Sequence, residues 1–293
     1  MGYLLPGGKQ AMTTTNVSQA TMDLIQRAIA EDLAGGEDVT SVSTVDAKAV
    51  ATAHFSARNE GVIAGLDVAR ATLESLHVTD IQLLVKDGDL VKAGTEIMRA
   101  RGLTRNLLLA ERTALNFLGH LSGIATLTHV WVEAVAGTKT KIRDTRKTTP
   151  GLRELEKYAV RMGGGENHRM SLSASALIKD NHIEAAGSVS GAFQSVRRAF
   201  PDIDIEIEVD TIEQLREILE HRPDLVLLDN MSPAQCAQAV ALVAGRCKLE
   251  ASGGISLDSA KAYAASGVDY IAIGALTHSA PVLDIGLDLK AEI

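Results

Sequence analysis

The second half of the chain alternates short apolar strands with segments of helix length, and this alternation restricts the possible folds more than any other feature. From about residue 139 the apolar runs are KIRDTR, SALIKDNHI, IDIEIEVD, DLVLLDN, CKLEASGG and DYIAIGAL. Strands separated by helices predict βα units and a parallel sheet. We count six clear strands, whereas an ordinary (β/α) barrel has eight. The pattern therefore predicts an α/β protein with an atypical, open (β/α) barrel.

The carboxyl ends of these strands carry polar residues or glycine. The residues are Asp144-Thr145-Arg146-Lys147, Lys179-Asp180-Asn181-His182, Glu208-Val209-Asp210, Asp229-Asn230, Ser252-Gly253-Gly254 and Gly274. In a barrel, the carboxyl ends of all strands lie on one face, and active sites are built on that face. We therefore expect these residues to surround a single mouth.

The first part of the chain has a different organisation. Residues 1–20 show no periodicity and predict a mobile leader. The pattern of residues 17–33, which overlaps the end of this leader, is typical of a helix, and Gly35-Gly36 is expected to end that helix with a left-handed cap. Residues 49–102 predict a strand, a helix and two further strands, which form a small α/β sandwich. The stretch 104–121 has one apolar helical stripe. We place the sandwich and this helix at 21–121, and the barrel at 122–282.

Charge and cysteine content exclude several classes of protein. The formal net charge is −8, which argues against binding to nucleic acid or an anionic membrane. No apolar run approaches the ~18 residues that a membrane span needs, and the N-terminus lacks the features of a signal peptide. Cys236 and Cys247 lie in apolar stretches, so we interpret both as buried thiols in a reducing compartment. These features predict a cytoplasmic protein.

Positive charge is concentrated in one part of this acidic chain. Residues 139–179 contain ten Lys or Arg residues and four acidic residues. Cations at strand ends predict a pocket for a small polyanion, because low dielectric strengthens charge-assisted hydrogen bonds. The candidates at strand or loop ends are Arg146, Lys147, Arg169 and Lys179. By contrast, Arg153, Lys157 and Arg161 are spaced four apart beside acidic residues, and we interpret them as a solvated helix face.

Three glycines, Gly163-Gly164-Gly165, precede Asn167-His168-Arg169. Glycine permits backbone conformations that other residues avoid, so this segment could hold His168 and Arg169 over a ligand. A plain flexible connector is the alternative interpretation.

Acidic residues alternate with apolar ones from Asp202 to Asp210. If the Ile and Val side chains pack on the helices, then Asp204, Glu206 and Glu208 point into the barrel, where carboxylates require cationic partners or a metal. An edge or amphipathic strand is the alternative. Asp229 ends the next strand and should lie beside Glu208, and such a pair can hold ribose hydroxyls or Mg²⁺.

Glycines also follow the last two strands. Ser252-Gly253-Gly254 precedes a helix that starts near Ser256, and Gly274-Ala275-Leu276-Thr277-His278 follows the final strand. Barrels commonly bind phosphate with the loops after these strands, at a helix N-terminus. The pair therefore predicts a phosphate-binding cup. The P-loop, Rossmann and His-Glu-x-x-His zinc motifs do not occur in the sequence.

Several motifs together resemble the quinolinate phosphoribosyltransferase family, in order from about residue 22 to the C-terminus. They are Glu111-Arg112-Thr113-Ala114-Leu115-Asn116, Asp144-Thr145-Arg146-Lys147-Thr148, Gly163-Gly164-Gly165-x-Asn167-His168-Arg169, Lys179-x-Asn181-His182, Glu206-x-Glu208-Val209, Leu228-Asp229-Asn230 and Glu250-x-Ser252-Gly253-Gly254. The resemblance implies an N-terminal α/β sandwich, an open barrel with fewer strands than usual, and a tail, residues 283–293, that returns to the sandwich.

The resemblance also implies an activity and an assembly. The expected reaction is a Mg²⁺-dependent transfer of phosphoribosyl from 5-phosphoribosyl-1-pyrophosphate to the nitrogen of quinolinate, with loss of CO₂, without an organic cofactor. The product is nicotinate mononucleotide, which belongs to de novo NAD biosynthesis. The expected assembly is a homodimer in which the sandwich helix of one subunit closes the barrel mouth of the other, so that Arg112 acts across the interface.

By the same resemblance, each candidate residue receives a role. The expected quinolinate-binding residues are Arg112 from the partner subunit, Thr145, Arg146, His168, Arg169 and Lys179. The expected residues for 5-phosphoribosyl-1-pyrophosphate are Lys147, Glu208, Asp229, Ser252, Gly253, Gly254, Gly274 and His278. Lys147, Glu208 and Asp229 are the expected catalytic residues, and Glu208 and Asp229 would hold Mg²⁺, directly or through water.

Two other functions fit part of this pattern. A barrel aldolase could use Lys147 or Lys179 as a Schiff base if neighbouring cations lowered its pKa. A noncatalytic relative of the same fold could bind phosphorylated ligands or oxyanions. Such a relative should have lost either the cations or the pair Glu208 and Asp229, and this chain retains both.

Overall fold

The computed structural model describes residues 17–292, so most of the predicted leader, 1–20, lies outside the described residues. Helix α1 (Gln19–Leu33) begins within the last part of that predicted leader, where the Ser18 side chain accepts a hydrogen bond from the Thr21 N–H. The left-handed cap of α1 is Ala34, at φ 47°, one residue before the predicted glycine pair. A short helix α2 (Val39–Thr44) follows, and Asp38 caps it.

The N-terminal part contains an antiparallel sheet covered by helices. Its strands are β1 (Val50–Ala57), β3 (Asp80–Leu83), β5 (Glu96–Leu103) and the last strand of the chain, β12 (Ile285–Ala291), in the order β12-β1-β5-β3. A second, two-stranded sheet pairs β2 (Gly61–Val62) with β4 (Leu90–Val91), and helix α3 (Leu66–Ser75) lies between these strands in sequence.

Strand β1 shows why this sheet needs a helical cover. Alternate residues of β1, from Ala51 to Ala57, are buried, and Phe55 is completely buried among them. A strand with period-two burial has one apolar face that must pack against another layer. That layer includes Leu73 of α3 and Leu107 and Leu118 of the next helix, α4 (Thr104–Ala134).

Helix α4 is longer than the sequence predicts, since it continues past residue 121 to Ala134. Its first half packs in the core of the sandwich, and residues of its second half, such as Ile124 and Trp131, pack in the core of the barrel. Gly123 permits the close approach of the segment that follows the barrel, because a Cβ atom there would lie 2.1 Å from the Pro281 carbonyl oxygen. Helix α4 is therefore shared by both parts of the molecule.

The barrel contains the predicted number of parallel strands. They are β6 (Lys141–Arg143), β7 (Ala176–Ile178), β8 (Ile205–Val209), β9 (Leu225–Asp229), β10 (Lys248–Ser252) and β11 (Tyr270–Ala272). Their order is β6-β11-β10-β9-β8-β7, and every neighbouring pair is parallel. In the described part of the chain the two edge strands, β6 and β7, do not pair with each other. The predicted six-stranded, open barrel is therefore confirmed.

Helices follow the strands and cover the outside of the barrel. They are α5 (Arg153–Met162), α6 (Asp180–Ala186), α7 (Val189–Ala199), α8 (Ile212–Leu219), α9 (Pro233–Val243), α10 (Leu257–Ala265) and α11 (Ala275–His278). Helix α8 is typical: Thr211 caps it, and it buries Ile212, Leu215 and Ile218. The chain then returns to the first sheet, where Leu287 of β12 pairs with Phe55 of β1.

The structure also bears on the cysteines and on membrane insertion. Cys236 is buried, as predicted, but Cys247 is only half-buried, so the prediction that both are buried is wrong for Cys247. Burial raises the pKa of both thiols to about 11. None of the helices within residues 17–292 combines the length and the apolar content that a membrane span requires.

Candidate active site

The carboxyl ends of the barrel strands open into one cavity of about 870 Å³. All predicted site residues except Arg112 line it: Thr145, Arg146, Lys147, His168, Arg169, Lys179, Glu208, Asp229, Ser252, Gly253, Gly254, Gly274 and His278. The sequence therefore predicted which residues surround the mouth of the barrel, because strand-end residues of a parallel barrel share one face. The roles assigned to these residues by resemblance stay predictions.

Four cationic side chains line this cavity, and most of them lack an acidic partner. Lys179 Nζ donates a hydrogen bond to Glu208 Oε2 at 3.1 Å. Arg146, Lys147 and Arg169 form no ion pair with any carboxylate of the described chain. Burial and the nearby charge of Arg146 lower the pKa of Arg169. Uncompensated cations in a cavity favour an anionic ligand.

Lys147 is held at the mouth through its backbone. Its N–H donates to Thr145 Oγ1 at 3.0 Å, and its carbonyl oxygen accepts a hydrogen bond from Thr277 Oγ1 at 2.8 Å. A Cβ atom on Gly274 would lie 3.0 Å from Lys147 Cδ, so glycine at that position leaves room for the lysine stem. The side chain of Lys147 itself is exposed to the cavity.

Close packing at Gly163 and Gly165 and a left-handed backbone at Gly164 require glycine, which argues against a plain flexible connector. A Cβ atom on Gly163 would lie 2.3 Å from the Ala125 carbonyl oxygen of α4. Gly164 has φ 88°, in the left-handed region that favours glycine. The segment therefore lies tightly against α4 and leads the chain into the cavity at His168 and Arg169.

The prediction of a solvated helix face is wrong for Lys157. This side chain is fully buried, and Lys157 Nζ donates to Asp144 Oδ1 at 2.5 Å and to the His168 carbonyl oxygen at 2.9 Å. Its neighbours four residues away behave differently: Arg153 is half-buried and donates to Thr148 Oγ1, and Arg161 is exposed and bonds to Asn167 Oδ1. Spacing by four places residues along one helix face, but it does not say what that face meets.

Buried charges lie below the cavity. Glu206 on β8 lies beside His168, with 2.7 Å between Glu206 Oε2 and His168 Nε2. Glu250 on β10 pairs with Arg143, with 2.8 Å between Oε2 and a guanidinium nitrogen. Glu206 and Glu208 are buried, as the alternating pattern predicts. The prediction for Asp204 is wrong, because β8 begins at Ile205 and Asp204 stays exposed before it.

The buried Glu250 carboxyl gives a pH-dependent contribution to stability. Burial, and then the charge of Glu206, raises its pKa from 4.5 to about 7. A raised carboxyl pKa stabilises the fold at low pH, and this contribution is lost as the pH rises through about 7. We therefore expect Glu250→Gln, which cannot ionise, to gain thermal stability relative to the wild type between about pH 5 and about pH 8.

Thermal unfolding followed by circular dichroism at several pH values measures this difference. The raised pKa of Glu250 is the net result of burial and the charge of Glu206 against the attraction of Arg143, so the expected gain already allows for that contact. A Tm difference between the two proteins that stays constant or falls with increasing pH would contradict the prediction.

Carboxylates form a cluster at the rim. Glu208 and Asp229 lie together with Asp210, and one carboxylate oxygen from each lies within 4.8 Å of the others. Burial raises the pKa of Glu208 and Asp229, and the charge of Asp210 adds to the effect on Asp229. Carboxylate oxygens are the ligands that Mg²⁺ prefers, and a divalent cation would relieve this repulsion. The residues present therefore fit a magnesium ion.

Sequence reasoning did not assign a role to Asp210. It lies two residues beyond Glu208, in the loop after β8, where the alternation of the strand no longer applies. In the sequence, the only signal for a role of Asp210 in this cluster was its position as the last acidic residue of the alternating run.

A glycine loop also lines the cavity. Gly253 has φ 93°, and a Cβ atom there would lie 2.2 Å from Asn230 Oδ1. Asn230 in turn donates its N–H to the Ser252 carbonyl oxygen at 2.9 Å, which ties the ends of β9 and β10 together. Gly254 also has a positive φ, and the cap of α10 follows at Ser256. This geometry leaves backbone N–H groups accessible, as in anion-binding loops.

Arg112 lies elsewhere. It is exposed on α4 and lines a separate cavity of about 420 Å³, together with Glu31, Asp32, Asn116 and His120. Within one chain, therefore, the structure does not bring Arg112 to the mouth of the barrel.

Fold and site together define the class of protein: an open, six-stranded α/β barrel whose mouth carries the uncompensated cations and the carboxylate cluster of a candidate active site. Family models of the quinolinate phosphoribosyl transferase N-terminal and C-terminal domains match residues 38–122 and 124–288. The chain belongs to the quinolinate phosphoribosyltransferase family.

Individual relatives agree with this assignment. The nicotinate-nucleotide pyrophosphorylase (carboxylating) of Mycobacterium leprae is 51% identical over 276 residues, which cover 92% of this chain and 97% of the relative. A probable nicotinate-nucleotide pyrophosphorylase (carboxylating) of Bacillus subtilis is 42% identical and covers 91% of this chain and 92% of its own length. The crystal structure of nicotinate-nucleotide pyrophosphorylase from Ehrlichia chaffeensis has a TM-score of 0.89 at 39% identity, covering 94% of this chain and 100% of that chain.

Proposed function

We propose that this protein transfers the phosphoribosyl group of 5-phosphoribosyl-1-pyrophosphate to the ring nitrogen of quinolinate and removes the 2-carboxylate as CO₂. The products are nicotinate mononucleotide and pyrophosphate. One observation carries the proposal: in a chain of this family, four cations, a glycine loop and a carboxylate cluster line a single cavity. Each of these features suits one part of the two anionic substrates.

Quinolinate carries two carboxylates, and the cations of the cavity suit them. Arg146 and Arg169 are the groups that we assign to these carboxylates, because guanidinium binds carboxylate in a bidentate manner. Both line the cavity and form no ion pair within the described residues, so their positive charge is not compensated by the protein. Lys179 and Lys147 complete the positive side of the cavity.

The glycine loops and the carboxylates of the cavity suit 5-phosphoribosyl-1-pyrophosphate. Ser252, Gly253, Gly254 and Gly274 would receive phosphate groups through backbone N–H groups, with His278 nearby. Glu208 and Asp229 would hold the ribose hydroxyls. Together with Asp210 they would also hold Mg²⁺, which neutralises charge on the departing pyrophosphate when it is bound.

The chemistry needs positioning and charge rather than a covalent nucleophile. When pyrophosphate leaves the anomeric carbon, an oxocarbenium-like ribosyl cation develops, and the pyridine nitrogen attacks it. Lys147, between the two substrates, would stabilise the negative charge that grows on the leaving group. The quaternised ring then accepts the electron pair of the breaking bond at C2, CO₂ departs, and a proton takes its place.

A purified preparation gives the direct test. Protein, Mg²⁺, 5-phosphoribosyl-1-pyrophosphate and quinolinate are mixed, and CO₂ and nicotinate mononucleotide are measured. Binding of both substrates without products would instead favour a noncatalytic relative of the fold. A Schiff-base aldolase that used Lys179 is disfavoured, because Lys179 is paired with Glu208 and a Schiff base requires a neutral amine. For Lys147, borohydride trapping with a carbonyl substrate tests this alternative.

We also propose a homodimer with shared active sites. Arg112 is exposed and does not line the cavity of its own barrel, which supports a role at the mouth of a partner. Mixing inactive Arg112→Ala and Lys147→Ala proteins under conditions of subunit exchange should restore activity, because a hybrid dimer regains one complete site. We expect up to about a quarter of the wild-type rate at equal mixing, since about half the dimers are hybrid. Restoration that fails although hybrids form would contradict the shared site.

A further inference from the structure

Three of the four cations at the mouth stand on two loops that flank helix α5. The first loop, residues 144–152, precedes α5 and carries Arg146 and Lys147. The second loop, residues 163–175, follows α5 and carries Arg169. Loops are the more mobile parts of a fold, so binding groups on two loops need further contacts that fix the loops to each other. Side chains of α5 make these contacts.

The first contact joins the two loops before the cations. Lys157 Nζ donates to Asp144 Oδ1 at 2.5 Å and to the His168 carbonyl oxygen at 2.9 Å. The backbone N–H of His168 also donates to Asp144 Oδ1, at 2.8 Å. Lys157 and Asp144 are fully buried. The buried pair therefore attaches the start of the first loop and the middle of the second loop to α5.

The second contact joins the two loops after the cations. Arg153 makes it, at the beginning of α5. Arg153 Nε donates to Thr148 Oγ1 at 3.0 Å, and Nη1 donates to the Met170 carbonyl oxygen at 3.2 Å. In the sequence, Thr148 directly follows Lys147, and Met170 directly follows Arg169. One guanidinium therefore connects the two loops immediately beyond their cations.

We propose that Arg153 is a positioning residue, whose guanidinium fixes the loop of Lys147 and the loop of Arg169 to each other and so sets the spacing of these cations. Arg153, Thr148 and Met170 do not themselves line the cavity. The inference rests on the proposed function, because Lys147 and Arg169 are assigned there to the two substrates.

The stability of helix α5 does not explain an arginine at this position. Arg153 is the first residue of α5, where the helix dipole disfavours a positive charge. It lies one turn from the positive charge of Lys157, and like charges at this spacing destabilise a helix. Burial lowers the pKa of Lys157, and the charge of Arg153 lowers it further. Among the described residues, 17–292, Arg153 forms no ion pair that would offset these costs.

The shape of the guanidinium suits a connection between loops. Its donors point in fixed directions from three nitrogens of one plane. Two of these nitrogens bond to different loops, and Nη2 lies 3.5 Å from the Arg146 carbonyl oxygen. A lysine would have the same charge, but all its donors would leave from a single nitrogen. Substitution by lysine therefore separates the effect of geometry from the effect of charge.

Arg153→Gln and Arg153→Lys test the proposal. Calorimetry measures the affinity for quinolinate, and steady-state assays give kcat and the KM for each substrate. We expect both variants to bind quinolinate at least about tenfold more weakly, since a displacement of about 1 Å can cost about a hundredfold in rate. The KM for 5-phosphoribosyl-1-pyrophosphate should change less, because Arg153 makes no hydrogen bond to the Ser252-Gly253-Gly254 loop. Wild-type affinity in Arg153→Lys would show that charge, not geometry, is required, and would overturn the proposal.

Arg197 on α7 provides a matched control. It is also half-buried, and its Nη1 donates to the carbonyl oxygens of Pro201 and Ile203, which do not line the cavity. It pairs with Asp224 as well, so its removal breaks at least as many contacts. Arg197→Gln should keep wild-type affinity for quinolinate, and thermal unfolding compares the stability of the two glutamine variants. If Arg153→Gln and Arg197→Gln bind quinolinate equally well, the proposal is wrong.

Hydrogen exchange of the substrate-free protein separates this inference from the proposed function. Arg153→Gln should increase amide exchange at residues 145–149 and 168–170, whereas Arg197→Gln should not. Unchanged exchange in either loop of Arg153→Gln overturns the inference, even if the wild type converts quinolinate. Increased exchange in both loops supports the connection between them. If the wild type then neither binds nor converts quinolinate, the proposed function is refuted and the connection is not.

Thr148 gives a second test, which remains if Arg153→Gln does not fold. Thr148→Ser keeps the hydroxyl that accepts from Arg153 Nε, and it should keep quinolinate affinity. Thr148→Val keeps the shape of the side chain but removes the acceptor, and it should weaken quinolinate binding. In an Arg153→Gln background, Thr148→Val should have no further effect. Equal affinity of the two Thr148 variants, or additive losses in the double variant, contradicts the proposal.

Discussion

Replacement of Lys147 by alanine will nearly abolish turnover and leave the fold intact. The exposed side chain of Lys147 lines the cavity and makes no side-chain hydrogen bond or ion pair within residues 17–292, so its removal costs little stability. Its charge is felt at the carboxylate rim, where it lowers the pKa of Asp229 against the raising effect of burial. Loss of one preorganised group that stabilises transition-state charge costs about 10²–10³ in kcat.

Lys141 provides a matched control for this experiment. It begins β6, six residues before Lys147, and its exposed side chain lies at the amino end of the strand, away from the mouth. Lys141→Ala should keep wild-type kcat and KM. Steady-state rates and thermal unfolding of the two variants are the measurements, and near-normal turnover of Lys147→Ala would remove Lys147 from the mechanism.

The barrel and its mouth could be predicted because they follow from local patterns. Six strand segments end in polar residues or glycine, and in a parallel barrel these ends lie on one face whatever the details of packing. Glu206 and Glu208 were predictable for a related reason: period-two alternation on a strand between two neighbours forces one set of side chains inward.

Other features depend on tertiary contacts that spacing does not encode. Lys157 belongs to a charged helical stripe that is typical of a solvated face, yet the stripe meets Asp144 and the backbone of His168. Asp204 follows the alternation of β8 but falls one residue before the strand starts. The backbone N–H of His168 donates to Asp144 Oδ1, and its ring lies beside Glu206; both partners are far from it in sequence, so no local motif could have predicted these contacts.

The position of an acidic residue along its strand decides what it does in this barrel. Strand β9 runs from Leu225 to Asp229, with Asp224 just before it. Asp224 lies at the amino end, where it pairs with Arg197 on the surface at 2.9 Å. Asp229 lies at the carboxyl end, beside Glu208 and Asp210. Two chemically identical side chains at opposite ends of one strand therefore differ in expected function, and they allow a matched comparison.

Asp229→Asn should lower kcat/KM for 5-phosphoribosyl-1-pyrophosphate by about 10²–10³ and raise the Mg²⁺ concentration that gives half-maximal rate. The amide keeps the size of the side chain but removes one of three charges that would hold the cation. It also removes repulsion with Asp210, so the fold should be as stable as the wild type or more stable.

Asp224→Asn is the control for this comparison, because it loses a surface ion pair worth about 0–1 kcal/mol, while its amide oxygen can still accept the hydrogen bond of the Ile205 N–H. Rates over a Mg²⁺ titration, together with calorimetric binding of 5-phosphoribosyl-1-pyrophosphate with and without Mg²⁺, separate metal binding from a general loss of activity. If Asp229→Asn and Asp224→Asn show the same Mg²⁺ dependence and the same affinity, the carboxylate rim does not hold the metal. In that case the raised pKa of Asp229 reflects burial and the nearby charge of Asp210 without a metal site, and the ribose or another group must supply the ligands for Mg²⁺.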